Sequence, residues 1–223
     1  MPVRYNQFCA VARAAEILGE RWTLLIVREL LLAPKRFVDL QDRLPGLSSS
    51  VLTQRLTSLE EADVIIRSYL EPPAASHIYS LTPRGLQLRS VISGLIRWGA
   101  PLLDRPGSDA EVIEPDWVVL VISASARSGS FKKGSYEFIM PSEGRRDVSM
   151  KIRAGRKGIE VLTDAKPTDV TVKASARQVL EIIGGRSDPV AEARAGRLLV
   201  LGNRAALADL SQLFDLQTEK DHR

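Results

Sequence analysis

One stretch constrains the fold of this chain more than any other, residues 44–63, LPGLSSSVLTQRLTSLEEAD. Three leucines recur there at helical spacing and predict a buried stripe: Leu52, Leu56 and Leu59. The opposite face carries short or uncharged polar side chains: Ser50, Gln54 and Thr57. Ser48 is typical of a helix N-cap, because its hydroxyl can accept a hydrogen bond from a free amide of the first turn. The stretch therefore predicts a short helix of the kind that a DNA major groove admits.

The segments around this helix predict a helix-turn-helix followed by a hairpin. Apolar residues at helical spacing indicate helices over residues 11–18, 20–32, 36–44 and 84–103. Residues 64–69 and 77–81 read as two strands around the Pro72-Pro73 tip, which is the pattern of a wing. Thr82 is expected to cap the last helix, with Pro83 in its first turn, where a missing N–H costs least.

A series of short motifs runs through the same region in order. They are Cys9, ILGERWTLLI at 17–26, RELL at 28–31, RF at 36–37, LPGLS at 44–48, VLTQRL at 51–56, YSLTPRG at 79–85 and WG at 98–99. This pattern closely resembles the HxlR-type winged helix-turn-helix transcription regulators over about residues 1–104. The resemblance implies a homodimer built through the first and last helices of the domain. It also implies that each subunit places one recognition helix in the major groove of a double-stranded DNA operator. Glu20 stands where many relatives have a second glycine.

The candidate DNA-binding residues follow from this resemblance and from side-chain chemistry. They are Lys35, Arg36, Ser48, Ser49, Ser50, Thr53, Gln54, Arg55, Arg67 and His77. Gln54 can pair bidentately with adenine, while Ser50 and Thr53 can reach base edges or methyl groups. Serines and amides at the start of the helix suit a phosphate, as do the two cations that open the preceding helix.

The sequence positions of three of these candidates indicate which contacts they could make. Arg67 and His77 belong to the wing, where they could reach a flanking groove or a phosphate. Arg55 flanks the buried stripe, so an internal ion pair with Glu60 or another acid is an open alternative to a phosphate contact.

Cys9 has two interpretations. It lies at the start of the first helix, where several HxlR relatives hold a thiol that senses oxidants or electrophiles, and a helix N-terminus favours the thiolate. The alternative is a small buried hydrophobic residue, the usual place of a free cysteine. The chain has one cysteine, so no second thiol could resolve a sulfenate within the subunit, which favours the buried alternative.

Composition limits the class of protein. Hydrophobic residues make up 44% of the chain, which is enough for a proper core, and the formal charge of +4 is compatible with nucleic acid without proving it. The single cysteine excludes an internal disulfide and is typical of a reducing compartment. We find no apolar signal segment and no run long enough to span a membrane, and we expect a cytoplasmic protein without a membrane partner.

The second half of the chain has a different pattern of apolar residues. Alternating or clustered apolar residues predict strands at 136–140, 148–153, 159–162, 170–174 and 198–202, which we expect to form an antiparallel sheet. Ser175 is expected to cap a helix to residue 183, and further helices are predicted at 189–195 and 204–214. Residues 117–122 are compatible with either a helix or a buried strand, because periodicity cannot decide.

Residues 116–216 are similar to the sterol-carrier-protein type 2 fold. The motifs are DVTV at 169–172, VLEIIGG at 179–185, DP at 188–189, GRL at 196–198 and GN at 202–203, with Leu207, Leu210, Leu213 and Phe214. The resemblance implies an α/β sandwich around an apolar tunnel for a lipid-like or other apolar small molecule. Candidate pocket residues are Trp117, Leu120, Phe131, Phe138, Ile152, Ile159, Val161, Ile182 and Phe214. The alternative is a filled core in a packing or dimerisation module.

The expected fold class is α+β, a winged helix-turn-helix followed by a sterol-carrier-protein-like α/β sandwich. The expected boundaries are a DNA-binding domain at 1–104, a Pro/Gly/acid-rich linker at 105–115, the second domain at 116–216 and a tail at 217–223. We expect no enzyme, metal site or cofactor, because no catalytic or ligand pattern stands out. A basic group is most simply the solvated face of a hairpin, and the alternative is a contact with flanking DNA or with an acidic ligand headgroup. Its members are Arg145, Arg146, Lys151, Arg153, Arg156 and Lys157. The functional prediction is a homodimeric, sequence-specific regulator with a possible ligand-responsive domain; the alternative is a lipid or acyl carrier whose winged helix serves only dimerisation.

Overall fold

The structure is a computed structural model that describes residues 4–73, 75–104, 111–164 and 166–216. The chain divides into two compact units, Met1–Ile92 and Ser93–Arg223. The residues at 105–110 of the predicted linker and the predicted tail at 217–223 lie outside the described residues. Throughout the described ranges, every helix is too short or too polar to cross a membrane.

The first unit is a helix-turn-helix with a wing. Its elements are α1 (Ala10–Leu18), α2 (Thr23–Leu32), β1 (Lys35–Arg36), α3 (Phe37–Arg43), α4 (Ser49–Glu61), β2 (Ile65–Leu70), β3 (Ser76–Leu81), α5 (Pro83–Leu86) and the start of α6 (Leu88–Gly99). The three strands form an antiparallel sheet in the order β1-β3-β2. The apolar side of α4 packs into the core of this unit, with Leu52, Leu56 and Leu59 all buried, as the leucine spacing predicts.

Two features of the predicted DNA-binding domain differ from the sequence-based prediction. The single helix expected over 84–103 is interrupted at Gln87, whose N–H bonds back to the Arg84 carbonyl in a tight turn, and a 3-10 helix follows α6 at Ala100–Asp104. Strand β1 was not predicted, because two residues are too few to carry a periodic pattern. The predicted cap is confirmed, since Thr82 Oγ1 accepts from the Gly85 N–H at 3.0 Å.

The second unit is a five-stranded sheet with helices. After the end of α6 come α7 (Pro115–Ser125), β4 (Gly134–Met140), β5 (Val148–Gly155), β6 (Gly158–Leu162), β7 (Val170–Lys173), α8 (Ala176–Ile183), α9 (Pro189–Arg194), β8 (Leu199–Gly202) and α10 (Leu207–Leu210). The strand order is β6-β5-β4-β7-β8. Ser175 caps α8 through a reciprocal capping box with Gln178, so the predicted cap is confirmed.

The prediction of a purely antiparallel sheet is wrong. Strands β4 and β7 run parallel, with Tyr136 opposite Val170, because β5 and β6 occupy one edge of β4 and the chain then crosses to its other edge. The open choice at 117–122 is resolved as helix α7. The helix expected at 204–214 is broken into a 3-10 turn (Arg204–Ala206), α10 and a second 3-10 turn (Ser211–Leu213).

One hydrophobic core holds the second unit together. Strand β4 alternates buried and half-buried residues, and its Phe138 meets Phe214 edge to face with ring centroids 6.3 Å apart. Helices α7 and α8 contribute to the same cluster through Val118, Ile122 and Ile182. The unit is thus of mixed α and β structure.

Candidate nucleic-acid interface

Helix α4 begins as the sequence predicts. The Val51 N–H donates to Ser48 Oγ at 3.4 Å, so Ser48 is the N-cap. Gly46 enters the turn with φ +88°, a left-handed conformation that glycine adopts without strain. The Gln41 side-chain amide donates to Ser49 Oγ at 2.8 Å and links the start of α4 to α3. These contacts hold the two helices of the motif in one arrangement.

The outward face of α4 is polar and open to solvent. Ser50, Thr53, Gln54 and Thr57 are exposed. Thr53 Oγ1 donates to the Ser49 carbonyl at 2.9 Å, and Ser48 and Ser50 exchange a hydroxyl contact at 3.2 Å. The Gln54 side-chain amide makes no hydrogen bond to another described residue, so its donor and acceptor are both available to a base edge.

A buried ionic cluster joins α2, β1 and α3. Glu29 of α2 is fully buried, and its carboxylate lies 3.1 Å from Arg43 Nε at the end of α3. Arg28 approaches the same carboxylate at 3.0 Å and Lys35 at 4.0 Å. Lys35 is 13% exposed at its side chain and faces this carboxylate, which leaves it poorly placed for the predicted phosphate contact. Glu29 escaped the sequence-based prediction, although a lone acid within the apolar segment LLIVRELLL was a usable signal.

Arg36 is the last residue of β1 and the N-cap of α3, so it lies one residue before the helix and not in it. Its guanidinium donates two hydrogen bonds to the Asp39 carboxylate, from Nε to Oδ2 at 3.0 Å and from Nη2 to Oδ1 at 3.1 Å. The hydrogen bonds from Arg36 hold the pKa of the Asp39 carboxyl below its usual range, and the same pairing raises the pKa of Arg36. The side chain remains 48% exposed, so its outer edge can still reach a phosphate.

Arg55 takes the ion-pair alternative, with a partner that the sequence did not single out. Its Nη2 lies 2.9 Å from Glu20 Oε2 and not against Glu60, and its side chain is 14% exposed. This pair ties the middle of α4 to the segment just before α2.

The wing places its two predicted residues on the surface. Arg67 and His77 are both exposed on the hairpin of β2 and β3. His77 pairs across the ladder with Tyr69, and the two rings meet edge to face at 5.3 Å. The ring contact fixes the outer part of the hairpin. The exposed Arg67 side chain is therefore held on an ordered strand of the wing.

Cys9 is exposed, and the expectation of a buried hydrophobic residue is wrong. It is the N-cap of α1 with extended backbone, φ −141° and ψ 129°. The backbone N–H groups of Ala12 and Val11, at the start of α1, lower the pKa of its thiol. Helix N-termini favour a thiolate in this way. That the thiol does not act as an oxidant sensor, because the chain has no second cysteine, stays a prediction.

The candidate pocket residues of the second unit occupy different environments. Phe138, Ile152, Ile182, Phe214 and Leu120 are buried, and the first four belong to the packed core. Trp117, Phe131 and Ile159 are half-buried, while Val161 is 49% exposed. In the described ranges, no three His, Cys, Asp or Glu side chains come close enough to hold a metal ion.

An N-capped helix with a polar outward face, a preceding helix locked to it and a hairpin wing define a winged helix-turn-helix DNA-binding protein. Residues 17–106 match the HxlR-like helix-turn-helix family. The HTH-type transcriptional regulator YodB of Bacillus subtilis is 33% identical over 94 residues, which cover 42% of this chain and 84% of YodB. The HTH-type transcriptional regulator YvaP of the same organism is 35% identical over 92 residues, 41% of this chain and 85% of YvaP. The chain belongs to the HxlR-like family and is a DNA-binding transcription regulator.

The structure of the reduced form of YodB from B. subtilis aligns with 46% of this chain and 100% of its own at 31% sequence identity, with a TM-score of 0.39.

Proposed function

We propose that this regulator acts as a homodimer that reads a pseudo-palindromic operator through α4. The observation that carries the proposal is the outward face of α4, where Ser50, Thr53 and Gln54 are exposed and uncharged. Amide and hydroxyl groups can distinguish bases by the hydrogen-bonding pattern of the base edges, whereas contacts to phosphates carry no direct sequence information. Two recognition helices related by a twofold axis would contact half-sites about 34 Å apart.

Exposed apolar side chains support dimerisation. Phe8, just before α1, and Val11, in its first turn, are exposed in the first unit. In the second unit Leu95, Trp98 and Leu102 are exposed on the end of α6 and the 3-10 helix after it. Large apolar residues clustered on helices are typical of protein interfaces. Sedimentation of the wild type against Phe8→Glu and Val11→Glu would test the first of these two surfaces.

We further propose that the second unit modulates DNA affinity and performs no catalysis. The sequence motifs of residues 116–216 that resemble the sterol-carrier-protein type 2 fold are what supports a ligand-binding role. A ligand there could alter operator affinity only by favouring one arrangement of the DNA-binding units over another. We place the protein in the cytoplasm, where a free thiol such as that of Cys9 stays reduced.

The decisive experiment is selection of binding sites from random duplexes with the full-length protein. We expect a pseudo-palindrome, against which Gln54→Ala loses about 1–3 kcal/mol and relaxes preference at one base pair. Gln87→Ala, which removes an exposed glutamine away from α4, is the matched control and should bind as the wild type does. If no sequence is enriched at any salt concentration, the operator-reading proposal fails and the carrier alternative takes its place.

A further inference from the structure

A surface groove of about 880 Å³ lies at one end of the sheet in the second unit. One wall is the segment Ser130 to Lys133, and the other is the end of the β5–β6 hairpin, residues 153–160. The Phe131 N–H donates to the Gly155 carbonyl at 3.0 Å, which fixes the two walls to each other. The groove volume lies within the range of small-molecule sites, roughly 300–1,000 Å³.

The rim of the groove is cationic. It carries five basic side chains, Lys132, Lys133, Arg153, Arg156 and Lys157. The one acid in the lining is Glu160, which lies 3.4 Å from Arg153. Lys132 lies 3.4 Å from Asp209 outside the groove. Arg156 and Lys157, at the exposed hairpin turn, have no ion-pair partner in the part of the chain that the structure describes, so the rim retains positive charge for a ligand.

The floor of the groove is apolar. Ala154 is fully buried, and Phe131 and Ile159 are half-buried with one side packed against the core. A phosphodiester backbone has little apolar surface to cover such a floor, and a purely apolar ligand would leave the rim cations unpaired. The combination of both surfaces favours a molecule with an anionic group at one end and an apolar body.

We propose that this groove binds a small organic anion with an apolar body. The body lies on Phe131 and Ile159, and the acidic group, a carboxylate, sulfonate or phosphate, faces Arg156 and Lys157. The ligand therefore sits outside the core formed by Phe138, Ile152, Ile182 and Phe214. The role of this groove as the effector site of the second unit rests on the proposed modulation of DNA affinity. Binding of the organic anion to the groove does not rest on it.

The test uses two fluorescent probes that share ring systems and differ in charge, 8-anilinonaphthalene-1-sulfonate and neutral N-phenyl-1-naphthylamine. We expect the sulfonate to bind the full-length protein saturably and more tightly than the neutral probe. The double variant Arg156→Glu/Lys157→Glu should weaken the sulfonate at least about tenfold, the loss of one charge-assisted contact or more. The control Arg177→Glu/Arg194→Glu changes the net charge equally on α8 and α9, outside the groove, and should bind as the wild type does.

Both variants replace exposed side chains, so circular dichroism should show an unchanged fold. Equal sulfonate affinity in the wild type and the groove variant would overturn the proposal. Failure to bind the sulfonate, together with weaker DNA binding by the groove variant alone, would assign the rim to DNA backbone instead. Operator titration with and without the sulfonate separates the two inferences: probe binding without a change in operator affinity retains the site and removes only its regulatory role.

Discussion

Replacement of Glu29 by alanine is expected to destabilise the first unit severely. The substitution removes the carboxylate that faces Arg43, Arg28 and Lys35, each of which comes from α2, α3 or β1. The Arg43 side chain is 5% exposed, so water cannot replace the lost partner. The buried Arg43 guanidinium would then lose the carboxylate 3.1 Å away, and the two other cations would lose the same carboxylate.

The magnitude follows from the burial of the pair. Breaking a buried ion pair by removal of one partner costs about 3–5 kcal/mol, because the remaining charge stays desolvated. A typical domain has a total stability of about 5–15 kcal/mol, so the loss would leave the helix-turn-helix partly unfolded at moderate temperature. The double variant Glu29→Met/Arg43→Met removes both charges and should lose less than the sum of the two single variants, since neighbouring residues are not additive.

Urea unfolding, with hydrogen exchange of peptides from α2 and α3, measures this loss in the unit concerned. Glu60→Ala is the control, because it removes an exposed carboxylate from α4 and should stay within about 0.5 kcal/mol of the wild type. A Glu29→Ala protein as stable as Glu60→Ala would show that the buried cluster does not hold the motif together.

Three other predictions concern individual residues. Asp39→Asn should free Arg36 and raise the affinity for all DNA sequences alike, as measured by fluorescence anisotropy over a salt series. The pKa of Asp39 is lowered in the folded state, so the Arg36–Asp39 pair contributes stability above about pH 4. This contribution is lost as the pH falls further. Iodoacetamide should alkylate Cys9 with a pH midpoint below that of a free thiol, because N–H groups of α1 favour the thiolate; a midpoint at or above the free-thiol value would contradict this. Gly85→Ala should destabilise the wing by about 1–3 kcal/mol in thermal unfolding, since a Cβ would collide with the Val64 carbonyl oxygen, whereas Gly94→Ala meets nothing within 4 Å and serves as the control.

The elements that sequence analysis predicted correctly are set by local interactions. The caps at Ser48, Thr82 and Ser175 each bond to an amide three residues ahead, and the leucine stripe of α4 repeats within one helix. Such features depend on sequence spacing alone. They locate the recognition helix before any tertiary contact is known.

The features that escaped prediction join distant parts of the chain. The parallel pairing of β4 with β7 and the ion pairs Arg43–Glu29 and Arg55–Glu20 depend on which segments become neighbours. Glu20 had no apparent role in the sequence, and charge alone could not show that Arg55 would face it rather than Glu60. Cys9 was misjudged for a similar reason, since exposure depends on how the whole unit packs around α1.

The ion pairs also change the expected basis of DNA affinity. Lys35, Arg36 and Arg55 each face a carboxylate, namely Glu29, Asp39 and Glu20. A cation that already has a carboxylate partner gains only the difference between that partner and a phosphate, whereas the salt dependence of binding rises with the number of phosphates newly neutralised. The salt dependence should therefore be shallower than the count of basic candidates suggests. Sequence preference should then depend mainly on the uncharged contacts of α4, because hydrogen bonds to base edges persist at salt concentrations that screen the phosphate contacts.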